Sequence, residues 1–415
     1  MTGRAGIRSS TCIAAVCLAA LITGPVAAHA AFPGSNGDIV FTGAQQTPFG
    51  FFVPFPATAG SSGIYATNPD GTGVRPLKVA PTSSAAYDLD RFGDPTWSPD
   101  GSKIAYVHSF DDQSRIEVMN PDGSGSRQIG PRVAWAPAWS PDGSMIAFGQ
   151  AVGRDEGIHV MDADGGNPRL LAAERPDFDE TAAWSPDCSR IALSADGGLW
   201  TMKPNGRVHV LSGGFGPDWS PDGRKLVYWI WGEADGDFGW QVFVINADGT
   251  GERRLRAGVS PAWSPDGTRI VFARRGGLAT MHPDGSDVRA VTVHDNTVQW
   301  HGLPDWQPLT DAAPSPGLCD AWRTDLNALP PLRVSVRPRT ARSGEPTTFR
   351  FKVTRDGRRP VRRAVIYFAG KQTRTNRRGR ALITDDFRNH GRRRAVATKA
   401  GFRYDTAMVR LLPFE

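Results

Sequence analysis

Residues suited to chemistry are few in this chain, and their spacing builds no familiar catalytic group. Asp162-Ala163-Asp164-Gly165 opens like a calcium loop but lacks the later carboxylates that would complete an EF-hand shell. Acidic side chains gather at Asp88, Asp90 and Asp94, at Asp177, Asp179 and Glu180, and at Asp295. They could bind cations or basic peptides at a channel mouth, or form a solvated rim. His159, His209 and His282 fall on or near strands and turns, as packed or exposed side chains or as metal ligands drawn from several repeats. A Gly-x-Ser-x-Gly elbow, a His-Glu-x-x-His pair and a phosphate-cradling Gly-x-x-x-x-Gly-Lys-Ser/Thr loop are all missing. The expectation is no catalytic residue, no metal and no cofactor.

Two aromatic groups interrupt otherwise regular sequence. One is Phe49, Phe51, Phe52 and Phe55; the other is Trp229, Trp231 and Trp240. Aromatics on loops suit a partner or glycan surface. The same rings could instead fold back as local cores.

These groups are set in a repeat. Trp-Ser-Pro-Asp-Gly occurs at Trp97–Gly101, Trp139–Gly143, Trp219–Gly223 and Trp263–Gly267, with Trp184-Ser185-Pro186-Asp187-Cys188 between them and Trp306-Gln307-Pro308 as a degenerate sixth. The tryptophans stand 42, 45, 35, 44 and 43 residues apart, the length of one four-stranded blade. An alternating apolar stretch follows each motif, as in Lys103-Ile104-Ala105-Tyr106, and reads as a strand. A second strand and turn recur six times, as in Ile116-Glu117-Val118-Met119-Asn120-Pro121-Asp122-Gly123. Each unit therefore reads strand, Pro-Asp-Gly turn, strand, loop, strand, Asp-Gly turn, strand. Gly37–Phe41 matches a second strand without its Trp motif, and Leu303–Trp306 a first strand without its sequel. Joined, they complete one blade and close a ring. The expected fold class is all-β: a six-bladed β-propeller followed by a small Ig-like β-sandwich.

The Trp-Ser-Pro-Asp-Gly units, each with an Ile-Ala-Phe-like strand and an Asn-Pro-Asp-Gly-like turn, resemble the WD-repeat-like propeller repeat of the TolB family over residues 36–309. The resemblance implies the fold. It leaves function open, because such blades serve scaffolds, peptidase gating domains and lyases, and the α/β domain that precedes the propeller in TolB does not stand before this one.

The flanks divide the chain further. Arg4 and Arg8, the apolar run Cys12–Ile22 and Ala28-His29-Ala30 have the layout of a secretory signal peptide over 1–30. Residues 31–309 then form the propeller, 310–330 a linker and 331–415 a basic module of about seven short strands that resembles bacterial Ig-like repeat modules. Cleavage would leave Cys188 and Cys319 as a disulfide candidate pinning the linker under the ring. Residues 331–415 hold 23 Lys and Arg against six Asp and Glu, whereas 31–330 hold 23 against 36. Arg362, Arg363, Arg377, Arg378, Arg380, Arg392, Arg393 and Arg394 form a basic patch suited to an anionic wall polymer or lipid. No aromatic-basic interleaving marks a dedicated nucleic-acid module.

The sequence thus predicts an exported (extracellular, cell wall or periplasm), monomeric, non-enzymatic binding or scaffold protein. Its propeller face would meet an envelope protein or glycan, and its tail would tether it to an anionic surface. The alternative is a hydrolase or lyase acting on an extracellular polymer in the channel.

Overall fold

A computed structural model describes residues 34–44, 62–80, 90–110, 113–150, 157–173, 181–195, 198–234, 237–292, 300–310, 314–323, 329–369, 371–385, 391–399, 402 and 405–412. The architecture grows from the turn chemistry of the repeated motif. In Trp97–Gly101 the Ser98 hydroxyl donates to Asp100 Oδ1 at 2.6 Å and accepts from the Lys103 amide at 2.9 Å. The Gly101 amide donates to the Ser98 carbonyl at 2.8 Å. Serine, aspartate and glycine thus each satisfy part of one hairpin turn, and Ser140, Ser185, Ser220 and Ser264 repeat the bond to the aspartate two residues on. Glycine is required at the last position by conformation and space alike. Gly267 has φ +70°, and a Cβ there would lie 2.9 Å from Pro221 of the preceding unit.

Each turn joins an inner strand to the next strand of a four-stranded antiparallel unit. Ala134–Trp139, Met145–Gln150, Gly157–Asp162 and Arg169–Ala173 make one such sheet. Units beginning at Thr181–Trp184, Phe215–Trp219 and Val259–Trp263 repeat the order. The unit that begins at Arg91–Trp97 shares an eight-stranded sheet with Trp300–Leu309, Ser35–Ala44, Ser62–Thr67 and Arg75–Val79, the two halves meeting through one parallel pair, Ser62 with Arg91. In that sheet Trp300–Leu309 pairs antiparallel with Ser35–Ala44, placing Ile39 opposite Trp306. The N-terminal strand is thereby zipped to the last strand of the repeat region.

The inner strands pack one against the next, from Arg91–Trp97 round to Trp300–Leu309 and back, which closes a ring. Apolar side chains fill the seams between units. One seam buries Val227, Val242, Leu255, Trp263, Ile270 and Phe272. Trp184 and Trp219 donate their indole N–H groups to the Ala138 and Ala183 carbonyls of the preceding inner strand, at 3.2 and 3.1 Å.

The C-terminal segment forms two sheets around a separate core of Leu332, Phe349, Phe351, Ile366, Phe368 and Val409. One joins Leu332–Arg337, Thr347–Arg355, Arg359–Pro360 and Arg380–Asp385; the other joins Thr340–Arg342, Asp405–Leu412, Gly391–Thr398, Val365–Phe368 and Lys371–Arg374. The described residues hold nine strands where the sequence suggested about seven. The additions include Thr340–Arg342 and Arg359–Pro360, too short to show an alternating pattern.

Candidate functional site

The unit Phe215–Ala257 departs from its sisters by lengthening its central hairpin. Lys225–Ala234 and Asp237–Asn246 run ten residues each, against six in Met145–Gln150. Their register sets Trp231 directly opposite Trp240 and Trp229 opposite Val242. Four rings meet there. Trp231 meets Trp240 edge to face at 4.9 Å, Trp240 meets Trp229 at 4.4 Å, and Phe215 lies 5.3 Å from Trp229. Phe215, Trp229 and Trp240 are half-buried, whereas Trp231 is 54% exposed. Gly216 permits this packing: its φ is +54°, and a Cβ there would come within 2.6 Å of Trp229 Nε1. The cluster is rigid behind and open in front, the arrangement in which an aromatic face takes another ring, a sugar or an apolar side chain. The hairpin thus brings Trp229, Trp231 and Trp240 together, whereas Phe49, Phe51, Phe52 and Phe55 lie outside the described residues.

Carboxylates stitch the inner strands. Asp305 Oδ2 accepts from the Trp97 amide at 2.8 Å and from the Thr96 hydroxyl at 3.0 Å. Asp218 Oδ2 accepts from the Trp263 amide at 2.7 Å, and Asp94 Oδ2 from the Ala136 amide at 3.2 Å. All three are half-buried between neighbouring inner strands, where desolvation outweighs these bonds. It pushes Asp218 up to about 7, with the Asp305 charge adding to the effect. Asp305 rises to about 6, and Asp94 moves in the same direction. Asp94, grouped in the sequence with acids of a channel mouth or a solvated rim, is fixed within an inner strand. It lies in the strand Arg91–Trp97 at φ +49°, where the register shifts between Gly93 and Thr96. A bulge of this kind re-aims a side chain.

A second polar network lies in the unit Arg91–Arg132. Glu117 is buried, and its Oε2 accepts from the Tyr106 hydroxyl at 2.5 Å. Its Oε1 meets Arg115 Nε at 2.7 Å and His108 Nδ1 at 2.9 Å, while His108 Nε2 reaches Asp90 at 3.0 Å. Burial works to raise the Glu117 carboxyl, but hydrogen bonds from Tyr106, His108 and Arg115 prevail and hold it below its usual range. Burial, followed by the Glu117 carboxylate, raises the Tyr106 hydroxyl. His159 and His282 have other partners. His159 is buried with Nδ1 3.1 Å from the Gly157 carbonyl, and His282 faces Asp287 at 3.4 Å. Among the described residues, no three His, Cys, Asp or Glu side chains are arranged to hold a metal ion. Asp88, Asp177, Asp179, Glu180 and Asp295 lie outside the described residues.

Comparison with known proteins meets this geometry at the ring. A family model described as the TolB beta propeller domain matches residues 90–199. TolB from Acinetobacter baumannii superposes with a TM-score of 0.53 at 21% identity, over 67% of this chain and 68% of that one. The ring is a TolB-like β-propeller. A candidate TolB from Agrobacterium tumefaciens gives a TM-score of 0.46 at 19% identity, over 66% of this chain and 100% of that one. A nidogen/laminin complex gives 0.46 at 11%, over 65% and 98%. No curated protein matches the chain by sequence.

The propeller carries its own linker and tail. Cys188 and Cys319 are disulfide-bonded, with Cα atoms 5.2 Å apart. The Cys319 amide donates to Asp142 at 3.0 Å, and the buried Trp322 indole donates to the Cys188 carbonyl at 2.6 Å. Trp322 also meets Trp184 edge to face at 5.5 Å, and its carbonyl accepts from Arg169 at 2.9 Å. Arg323 bonds Asp162 Oδ1 at 2.6 Å while Asn167 bonds Oδ2 at 2.7 Å. Both oxygens of the aspartate that opens the calcium-like sequence are thus engaged by protein. The C-terminal sheets dock on the same side. Thr398 Oγ1 accepts from the Val208 amide at 3.0 Å, and His209 Nδ1 lies 3.2 Å from the Tyr367 hydroxyl. One apolar cluster runs from Trp184 and Val208 through Cys319 and Trp322 to Tyr367 and Val396.

Docking leaves Arg362, Arg363, Arg377, Arg378 and Arg380 exposed, and the Arg363 amide to the Thr375 carbonyl at 2.9 Å joins their two loops. Arg392, Arg393 and Arg394 lie on the strand Gly391–Thr398, and their side chains are outside the described set. Sequence reasoning overlooked Trp322, Asp218 and Asp305. Pro-Asp-Trp at 217–219 and 304–306 was the available signal, since sister motifs carry Thr96, Ala138, Ala183 or Ala262 before the tryptophan.

Proposed function

We propose that this chain is an exported, non-enzymatic binding protein of the bacterial envelope. It is built as a six-bladed propeller over 31–309, a linker over 310–330 and a basic Ig-like module over 331–415. The observation that carries the reading is Trp231: 54% exposed, braced by Trp240 and Trp229 on a hairpin longer than its sister at Met145–Gln150. An exposed tryptophan braced from behind by other rings suits a binding anchor, since covering such a ring is where interfaces concentrate their affinity. The ligand is an envelope protein or glycan presenting an apolar or ring face. The exposed arginines of the module add a salt-sensitive attraction to an anionic wall polymer or lipid.

The test is co-sedimentation of the mature chain with the source organism's envelope fraction. Trp231→Ala should lower retention about tenfold in moderate salt, the size of effect expected for a truncated aromatic anchor. Arg377→Gln with Arg378→Gln should reduce only the part that salt displaces. Equal retention of wild type and Trp231→Ala would refute the aromatic face as the binding surface.

A further inference from the structure

Beyond the aromatic hairpin, a cavity of about 470 Å³ opens between the strand Arg253–Ala257 and the following unit. Its lining is Arg254, Arg256, Ala257, Phe272, Arg274 and Val288. Three guanidinium-bearing side chains share it, and among the described residues no carboxylate lines it, within a region where acids outnumber bases. Two of them are held in place. Arg254 Nε donates to the buried Gln241 Oε1 at 2.9 Å, and Arg256 Nε donates to the Gly285 carbonyl at 2.8 Å. Arg274 is exposed at the end of the strand Ile270–Arg274 and, among the described residues, its guanidinium makes no hydrogen bond or ion pair with protein. Arginine forks favour planar or tetrahedral oxyanions, which they grip through two parallel hydrogen bonds.

The cavity is also too large for an ion alone. Its volume falls in the range of small-molecule sites, and Phe272, Val288 and Ala257 give it apolar walls. We propose that this cavity binds a small organic oxyanion, its phosphoryl or carboxylate head among Arg254, Arg256 and Arg274 and its apolar body against Phe272 and Val288. The site does not depend on Trp231, which lies on the other edge of the hairpin strand pair, beyond the Gln241–Ala257 pairing.

The test is calorimetric titration of the full mature chain with phenyl phosphate, benzoate, inorganic phosphate and phenol at constant ionic strength. Saturable binding of phenyl phosphate or benzoate is expected, the tighter of the two identifying the head group. Inorganic phosphate should bind at least about tenfold more weakly and phenol not at all, because head and body each supply part of the affinity. Arg256→Ala with Arg274→Ala should weaken the organic anion about tenfold or more, while Trp231→Ala should leave it unchanged. If Arg256→Ala impairs folding, Arg274→Ala alone decides, since its guanidinium holds no protein partner among the described residues. No saturation by either organic anion, wild-type affinity in the Arg274→Ala protein, or inorganic phosphate binding as tightly as phenyl phosphate would overturn the proposal.

Discussion

Cys188 stands at the turn position that glycine fills in four sister motifs, and its sulfur is bonded to Cys319 of the linker. Its φ of +52° matches the +65°, +69°, +63° and +70° of Gly101, Gly143, Gly223 and Gly267. A side chain in this left-handed region costs about 1 kcal/mol. The repeat tolerates that cost where the side chain gains a covalent partner 131 residues away in sequence. Reduction should therefore destabilise the chain by about 2–4 kcal/mol. Cys188→Gly with Cys319→Ser should recover about 1 kcal/mol relative to Cys188→Ser with Cys319→Ser. Denaturant midpoints of the oxidised, reduced and substituted proteins measure both differences.

Trp322 gives the linker its own anchor. It is buried against Trp184 and bonded to the Cys188 carbonyl. Trp322→Ala should cost about 3–5 kcal/mol through the cavity it leaves. The loss should appear as faster proteolysis between the propeller and the C-terminal sheets, with propeller fragments surviving. Wild-type protease resistance would show that the disulfide alone holds the linker.

Asp218 and Asp305 set the pH response. Their unfolded carboxyls titrate near 3.8 but their folded ones near 7 and 6. Between those values the native state binds more protons, so the stability they contribute falls as pH rises from about 4 to about 7. The turn aspartates act oppositely. At Asp100, Asp142, Asp187 and Asp266 burial is outweighed by serine, threonine and backbone donors, so their carboxyls are depressed and their contribution is lost below about pH 4. Maximum thermal stability is expected between about pH 4 and pH 6, with Asp218→Asn flattening the decline on the alkaline side. Melting temperatures across that range, in both proteins, decide it.

Glu117 joins three donors, so its replacement should not be local. Glu117→Gln should cost about 1–3 kcal/mol by leaving Tyr106, His108 and Arg115 imperfectly satisfied. A double-mutant cycle with Tyr106→Phe should give a coupling well above zero, because both changes break the same bond.

What the residues disclose follows the range of the forces involved. The repeat is legible because its chemistry is local: Ser98, Asp100 and Gly101 complete one turn within four positions. The pairing of the ends is legible because Gly37–Phe41 and Leu303–Trp306 each hold half of a pattern. Asp94 reads as one of a loose acidic group because the one-residue bulge that lets it accept from the Ala136 amide leaves no mark in the alternation. Arg254, Arg256 and Arg274 look like ordinary surface charges until two neighbouring units are set side by side. Trp322 is a single aromatic in a proline- and alanine-rich stretch, with no period to mark it.

The antiparallel pairing of Ser35–Ala44 with Trp300–Leu309 makes this ring a structure in which its first described strand waits for the last strand of the repeat region. The Asp38 amide and its Gln307 partner are separated by 269 residues, which at ordinary elongation rates is on the order of ten seconds to a minute of synthesis. Throughout that interval one flank of the opening strand has no neighbour, and the growing chain is an arc with two bare ends. Ring integrity is thus a property of the finished repeat region: a chain halted before Trp306 would carry correctly folded sheets and still expose a sticky edge at each end.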